Sequence, residues 1–477
     1  MQAPGHNGTE PGARFTAAQI AQACGGSILR GSPTTVASGV STDTRTLMQG
    51  QAFFALVGPN HDAHSFLPQA PGLGAAVLVV EHLDDGWRPP QGVAVIRVPD
   101  TGRALLALAA KYRDDLRARV AAVTGSVGKS TVKNMLAQIL TAEGRCTAAP
   151  ASFNNRVGVP LTMLAAHPGD DFLVLEMGTN HAGEIDELAR TARPDLGVIT
   201  GIAETHLEGL GSLEGVREAK AELIPHLRPD GTLVLNADNP ACTSLAGRFA
   251  GHTLTFGLSR DAACRARNAR RCRRGWSFSL DGQRMRLSVP GRFNVLNATA
   301  AVCAAVVLGV PLEAAAAALP TCRPPRLRYE ERELAGCRFV LDCYNSNPAA
   351  MRAALDSFIS EPAAGRKMVV CGDMLELGPE TARCHRELGR DLAGSKVDLL
   401  VAVGAHTQHV LDGWEARAHA PQESMRFASA EEAWLPLWRR LRPGDEVLVK
   451  GSNALHLATI ADRIAEHVAA GREEAAA

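Results

Sequence analysis

Short apolar runs, separated by turn-forming residues and by stretches with helical periodicity, recur along almost the whole chain. From residue 120 to about 320 the runs "VAAVTG", "FLVLEMG", "LGVITG" and "TLVLNAD" alternate with helical segments, which predicts a mostly parallel sheet flanked by helices. Upstream, "QAFFALVG" and "AAVLVV" predict short strands and "TGRALLALAAKYRDDL" a helix, so residues 1–115 read as a small α/β domain. The proline cluster "RPPRL" at 323–327 then punctuates the chain. Beyond it "RFVLDCY", "KMVVCGD", "DLLVAVG" and "EVLVKGS" restart the alternation and predict a separate open α/β sheet of the Rossmann-like kind. The fold class is therefore α/β in three domains, over residues 1–115, 116–322 and 323–477. Ligands of such sheets sit at the carboxyl ends of the strands, where the polar residues below fall.

Length and composition narrow the picture. At 477 residues the chain is too long for one hydrophobic core, so clefts between domains are expected. Fifty basic residues balance fifty acidic ones, which leaves no net field to gather nucleic acid or an anionic membrane. The basic segment 265–274, "RARNARRCRR", precedes alternating runs and reads as a solvated strand face or loop. Eleven cysteines without a C-x-x-C pair read as reduced thiols of a cytoplasmic protein. The polar start "MQAPGHNGTEPGARF" carries no apolar core of a secretory signal. Residues 298–312, "ATAAVCAAVVLGVPL", are too short and alanine-rich for a membrane span and predict a buried helix.

The chemistry concentrates in "VAAVTGSVGKSTVKNML", residues 120–136. A β-rich run enters a loop with Gly125 and Gly128, then Lys129, Ser130 and Thr131, and then an amphipathic helix with Val132, Met135, Leu136, Ile139 and Leu140 on its apolar side. Glycines let backbone N–H groups approach phosphate, the helix N-terminus adds partial positive charge, and Lys129 can reach the terminal phosphates. Ser130 or Thr131 could then hold Mg²⁺. The loop is two residues shorter between its glycines than the usual phosphate-binding loop, and a ligand-free glycine turn is the alternative. Glu176, closing "DFLVLEMG", stands where a metal-holding acid is needed, although most strand-terminal glutamates are merely solvated.

Lys220 is the unusual residue. Ser212 can cap a helix through "LEGVREAKAELIPHL", on which Val216, Lys220, Leu223 and Leu227 share one face. A lysine on an apolar stripe either extends its ammonium to water or sits desolvated with a lowered pKa. His206, a possible metal ligand, lies just before this helix. A lysine held partly neutral could take up CO₂ as a carbamate and become a metal-binding anion.

Together these fragments resemble the Mur ligases, the ATP-dependent amide-forming enzymes of peptidoglycan synthesis, and among them the branch that adds D-alanyl-D-alanine. The resemblance runs through "STDTRTLMQGQAFFALVG", "TGSVGKSTVKNML", "SFNNRVGVPLT", "EMGTNHAGEI", "HLEGLGSLEGVREAK", "PGRFNVLNATAA", "YNSNP", "GDMLELG" and "KGS", in that order, over nearly the whole chain. It implies that ATP binds along the loop from Thr124 through Gly125, Ser126, Val127 and Gly128 to Lys129, Ser130 and Thr131. It implies two Mg²⁺ ions, one on Ser130 and Glu176 and a second on His206 and Lys220 carbamylated by CO₂. Asn297, with Asn294 nearby, would face the adenine, and Arg326 and Asp342 would approach the nucleotide from the C-terminal domain. Ser41, Thr42, Asp43, Thr44 and Arg45 would bind the UDP-sugar, Asn154 and Asn155 would lie near the substrate carboxylate, and Asn345 and Asn347 would belong to the loop of the incoming dipeptide. Phe293, Pro325 and Asn453 depart from the family's histidine, glycine and arginine, and Val127 stands where a small polar residue is common.

The implied reaction joins UDP-N-acetylmuramoyl-tripeptide (UDP-MurNAc-tripeptide) to D-alanyl-D-alanine. The substrate carboxylate is first activated by ATP as an acyl phosphate and then attacked by the dipeptide amine. A sister ligase adding one amino acid, a folylpolyglutamate-type relative and an idle nucleotide-binding scaffold are the alternatives. The resemblance further implies a monomer, while the balanced charge disfavours nucleic-acid and membrane partners.

Overall fold

The computed structural model describes residues 12–84, 86–273, 275–417 and 422–476; the first eleven residues and Arg274, which belong to two of the segments above, lie outside them. The strands form three principal sheets. Residues up to about 112 supply a five-stranded sheet in the order Ser27–Arg30, Ala94–Arg97, Val77–Val80, Ala52–Phe54 and Val40–Ser41, followed by the helix Thr101–Tyr112. The Tyr112 hydroxyl donates to the Ala166 carbonyl at 2.7 Å and so ties this helix to the central unit.

The central sheet has nine strands, ordered Cys146–Ala148, Phe172–Glu176, Arg119–Thr124, Leu196–Ile199, Thr232–Asn236, His252–Gly257, Cys264–Arg271, Trp276–Leu280 and Gln283–Leu287. The first seven run parallel, and the last three form an antiparallel meander. Successive side chains of a strand point to opposite faces. Ala121, Val123 and Val198 accordingly pack against the helices Lys129–Thr141 and Phe293–Val307, while Ala122 and Ile199 join the layer that holds Glu184–Ala192 and Leu213–Ala221. Burial on both faces explains why these strands read as unbroken apolar runs.

The "RARNARRCRR" segment supplies the strand Cys264–Arg271, whose arginines at 267, 270 and 271 are exposed. The apolar stretch after residue 298 lies in the buried helix Phe293–Val307, and among the described residues no helix is long and apolar enough to cross a membrane. The helix bearing Lys220 is shorter than its pattern. It starts at the Ser212 cap but ends at Ala221 and gives way to a 3₁₀ turn over Ile224–His226. Pro225 has no N–H for the Ala221 carbonyl and its ring crowds that position.

The C-terminal sheet pairs Glu330–Leu334 antiparallel with Cys337–Asp342, which runs parallel to Glu446–Lys450, Lys367–Gly372, Leu399–Val403 and Glu423–Phe427. Its strands end at Asp342 and Lys450 beside the same cavity that the central strands reach at Thr200 and Asn236. The carboxyl ends of two sheets therefore face one cleft.

Candidate active site

The strand Arg119–Thr124 runs into a loop that closes on the helix Lys129–Thr141. Gly125 and Gly128 have φ of 141° and 84°. A Cβ on Gly125 would stand 2.2 Å from the Thr200 hydroxyl, and one on Gly128 would stand 2.5 Å from Asn297 Oδ1, so both positions need glycine for space as well as for conformation. Ser126 is locked to residue 203 by two hydrogen bonds, 2.9 Å from its hydroxyl to the carbonyl and 3.0 Å from the Ala203 N–H to its hydroxyl oxygen. No side chain caps the helix N-terminus, leaving its first N–H groups available to an anion. The Lys129 ammonium curls back to the Gly125 carbonyl at 2.6 Å. Burial pushes its pKa down to about 8, against the attraction of Glu176 and with the repulsion of Arg328. Thr131 lines the cavity beside Val127, whereas the Thr124 hydroxyl turns away to the Met177 carbonyl at 2.7 Å and braces the neighbouring strand.

Glu176 is almost wholly buried at the end of its strand. Its Oε1 accepts from the Ser130 hydroxyl at 3.1 Å and from Asn154 Nδ2 at 2.9 Å, while Oε2 is buried with no hydrogen-bond partner among the described residues. A carboxylate oxygen without a donor is costly to bury, and a cation is the natural partner it lacks. Asn155 plays a different part: its Oδ1 accepts the N–H groups of Val157 and Gly158 at 3.2 and 2.9 Å and starts the helix Gly158–Ala165.

Lys220 is 1% exposed, and among the described residues its ammonium makes no hydrogen bond or ion pair. Desolvation, reinforced by the positive charge of Lys129, holds its pKa well below the ordinary lysine value. Glu222 and Glu184 favour the charged form only from a distance. Their carboxylates are taken by backbone N–H groups, of Gly183 and Asp186 for the first and of Asn180 and His181 for the second. His206 stands at the entry of the short helix Leu207–Leu210, and its Nδ1 lies 2.5 Å from Glu376 Oε2. That hydrogen bond holds the Glu376 carboxyl below the usual carboxylate range.

Two cavities, of about 180 and 510 Å³, share Lys129, Arg328 and Asn345 as walls. The smaller is lined by the phosphate loop, Asn297, Phe293, Asp342 and Lys450, and the larger by Glu176, Asn154, Asn155, His206 and Tyr344. Asn294 is buried behind Asn297, accepting from its Nδ2 at 2.8 Å, and does not reach the cavity wall. Asn347 caps the helix Pro348–Ser360 and extends Nδ2 to the Ser126 carbonyl at 3.4 Å.

Arg326 is exposed and lines neither cavity; the arginine that does is Arg328, 3.5 Å from the Ser130 hydroxyl and 4.4 Å over the Tyr344 ring. Leu327 and Tyr329 both have φ of 57°, and these two left-handed residues turn the chain so that Arg328 faces inward. Ser41 to Arg45 lie apart from both cavities. The Ser41 hydroxyl donates to the Asp43 carbonyl at 3.0 Å, Arg45 grips the Asp43 carboxylate with Nη2 at 2.6 Å, and Thr42 and Thr44 are half-buried between them.

Residues 123–305 match the Mur ligase middle domain, and residues 326–453 match the Mur ligase glutamate ligase domain. The UDP-N-acetylmuramoyl-tripeptide--D-alanyl-D-alanine ligase of Bacillus subtilis (strain 168) is 35% identical over 436 residues, covering 91% of this chain and 94% of that protein. The chain belongs to the Mur ligase family. A crystal structure of MurF from Acinetobacter baumannii superposes on this Mur ligase with a TM-score of 0.87 at 31% identity, over 96% of this chain and all of the other. MurF ligase from Thermotoga maritima, solved in complex with ADP, shares the fold with a TM-score of 0.80 at 24% identity, over 90% and 97% of the two chains.

In this Mur ligase the site also holds residues that the sequence reading left out. Lys450 is fully buried, with Nζ 2.7 Å from Asp342 Oδ2. Asn236 donates to the Thr200 carbonyl at 2.9 Å beneath the loop. Both end apolar strands, "EVLVK" and "TLVLN", and that position was the signal for them.

Proposed function

We propose that this Mur ligase joins D-alanyl-D-alanine to UDP-MurNAc-tripeptide in an ATP-dependent, ADP-forming reaction of peptidoglycan synthesis. The observation that carries the reading is Lys220, a lysine side chain 1% exposed, whose ammonium makes no hydrogen bond or ion pair among the described residues and which is close enough to Lys129 to feel its charge. A scaffold that only bound nucleotide would have no use for it. We assign residues 1–115 to the UDP-sugar through Ser41–Arg45, residues 116–322 to ATP, and residues 323–477 to the dipeptide through Asn345 and Asn347.

The side chains present fit divalent cations. Glu176 offers a buried, unpartnered oxygen next to the Ser130 hydroxyl, and these two would hold one Mg²⁺. His206 and Lys220, the latter as a carbamate, would hold a second. A neutral amine adds to CO₂ and loses a proton, and burial favours that neutral form. Bound there, such ions would neutralise charge gathering between the substrate carboxylate and the terminal phosphate.

The chain's own groups account for the rest. Loop N–H groups and Lys129 hold the β- and γ-phosphates while the substrate carboxylate displaces ADP from the γ-phosphorus. The dipeptide amine then attacks the acyl carbon, phosphate leaves, the amine gives up its proton, and an amide remains. Preorganised donors around the phosphates lower the barrier without reorganising during the reaction. The acyl phosphate must be kept from water, and contacts of the C-terminal unit on the loop, such as Asn347 on Ser126, support that role. ADP release measured with D-alanyl-D-alanine against single amino acids tests the reading. Turnover of a UDP-dipeptide with lysine or meso-diaminopimelate, in place of the expected reaction, would overturn it.

A further inference from the structure

The fragment "GDMLELG" belongs to the C-terminal unit, yet its glutamate touches the central one. Glu376 Oε2 lies 2.5 Å from His206 Nδ1, and the Glu376 carbonyl accepts the Glu208 N–H at 3.2 Å. Both partners have left-handed backbones, with φ of 50° at His206 and 63° at Glu376. Such a conformation is unfavourable for a non-glycine residue, and it persists where the surroundings impose it. Here they do. The Met374 N–H donates to His385 Nε2 and the Leu375 N–H to the Ser452 hydroxyl, each at 3.0 Å, while the Asp373 carboxylate accepts from Ala405 and His406 at 2.9 and 3.0 Å. Glu376 is thus carried on a rigid arm. A second contact, Arg383 forked onto Glu204 at 3.0 and 3.2 Å, docks the same arm a few residues away.

An ionised carboxylate can only accept, so Nδ1 is the nitrogen of His206 that donates to it, and in the neutral ring this leaves Nε2 with the lone pair. His206 lines the larger cavity together with Glu176. We propose that Glu376 is a positioning residue that fixes the tautomer and ring orientation of His206 from the C-terminal unit, so that the imidazole is ready to hold a cation only when that unit is docked. The inference rests on the reading of His206 as a metal ligand. It makes assembly of the site depend on closure through a named pair of atoms.

The test is Mn²⁺ binding to the full-length enzyme in the presence of ADP, followed by electron paramagnetic resonance, so that no turnover is involved. Glu376→Ala is expected to weaken one of two Mn²⁺ sites by about tenfold or more, the scale of losing a ligand's orienting partner. The same variant should raise the Mg²⁺ concentration for half-maximal ADP release while the KM for ATP stays within about twofold. Glu376→Gln, whose amide oxygen still accepts from Nδ1, should keep most of the affinity. Arg383→Ala loosens the neighbouring contact but keeps the Glu376–His206 pair, and should weaken that site by clearly less than Glu376→Ala does. Wild-type Mn²⁺ binding by Glu376→Ala, or an equal loss in Arg383→Ala, would overturn the positioning role. Unchanged binding in His206→Ala would instead overturn the ligand reading itself.

Discussion

Lys129 and the buried Lys220 lie close enough that the positive charge of the first disfavours a charge on the second. Lys129 is partly relieved by Glu176, whereas among the described residues Lys220 has no hydrogen bond or ion pair to hold an ammonium and only the more distant charges of Glu222 and Glu184 favour it. The pair makes sense when one amine remains a cation for phosphate and the other is turned into an anion.

Replacing Lys220 by alanine should lower ligase turnover by roughly 10²–10³-fold, the scale of losing one charge-stabilising group. Short carboxylic acids should restore part of it, and the wild-type rate should depend on bicarbonate. Lys220→Met should be at least as stable to urea as the wild type, because a desolvated amine is exchanged for a thioether of similar length. Full ATP consumption by either variant would refute the carbamate.

Asp342 and Lys450 form a buried pair at the ends of adjacent C-terminal strands. Lys450→Met leaves the carboxylate unmatched and should cost about 3–5 kcal/mol in denaturant unfolding. Adding Asp342→Asn should recover much of that loss. A double variant no more stable than the single one would show that the pair does not act as a unit.

Arg328 and Arg326 provide an internal comparison. Arg328→Ala should raise the KM for ATP about 10- to 100-fold, as expected for losing hydrogen bonds to a charged partner. Arg326→Ala, at an exposed position, should change it by no more than about twofold. Steady-state kinetics on the two variants decides between them.

His385 sets a pH dependence of stability. Burial lowers its pKa below the ordinary histidine value, opposed by its bond to the Thr381 carbonyl and by Asp373, and assisted by His406 and His409. Nε2 accepts the Met374 N–H, so the neutral ring is the one that holds the arm. Between the lowered folded value and about 6.5 the unfolded chain binds the extra proton, so stability should rise with pH and level off above the usual histidine range. The slope contributed is at most about 1.4 kcal/mol per pH unit, that of a single proton. Urea midpoints from pH 5 to 7.5 for the wild type and His385→Gln should converge at the acid end. Parallel curves would exclude His385 as the source.

Much of this was legible in the chain. Apolar runs ending in a polar residue located Glu176 and the phosphate loop, the apolar stripe through Val216 and Leu223 singled out Lys220, and the family resemblance pointed to Asp342. What escaped depends on backbone turns or distant contacts. Arg328 rather than Arg326 faces the cavity because Leu327 and Tyr329, neither of them glycine, adopt left-handed conformations. Thr124 ends its strand like a ligand-facing residue, yet its hydroxyl serves Met177. The meeting of Glu376 with His206 joins segments 170 residues apart, and no local pattern encodes it.

The central sheet closes at each side on a strand unsuited to recruiting a stranger. One border is the three-residue Cys146–Ala148, too short to template much pairing, and the other is Gln283–Leu287, which turns Met285 and Leu287 inward and presents Arg284 and Arg286 to water. A nine-stranded β surface left with a long, flat, greasy border would invite a second chain to add on and nucleate aggregates. The guanidinium groups of that last strand keep a large sheet soluble, a task separate from anything done at the catalytic cleft.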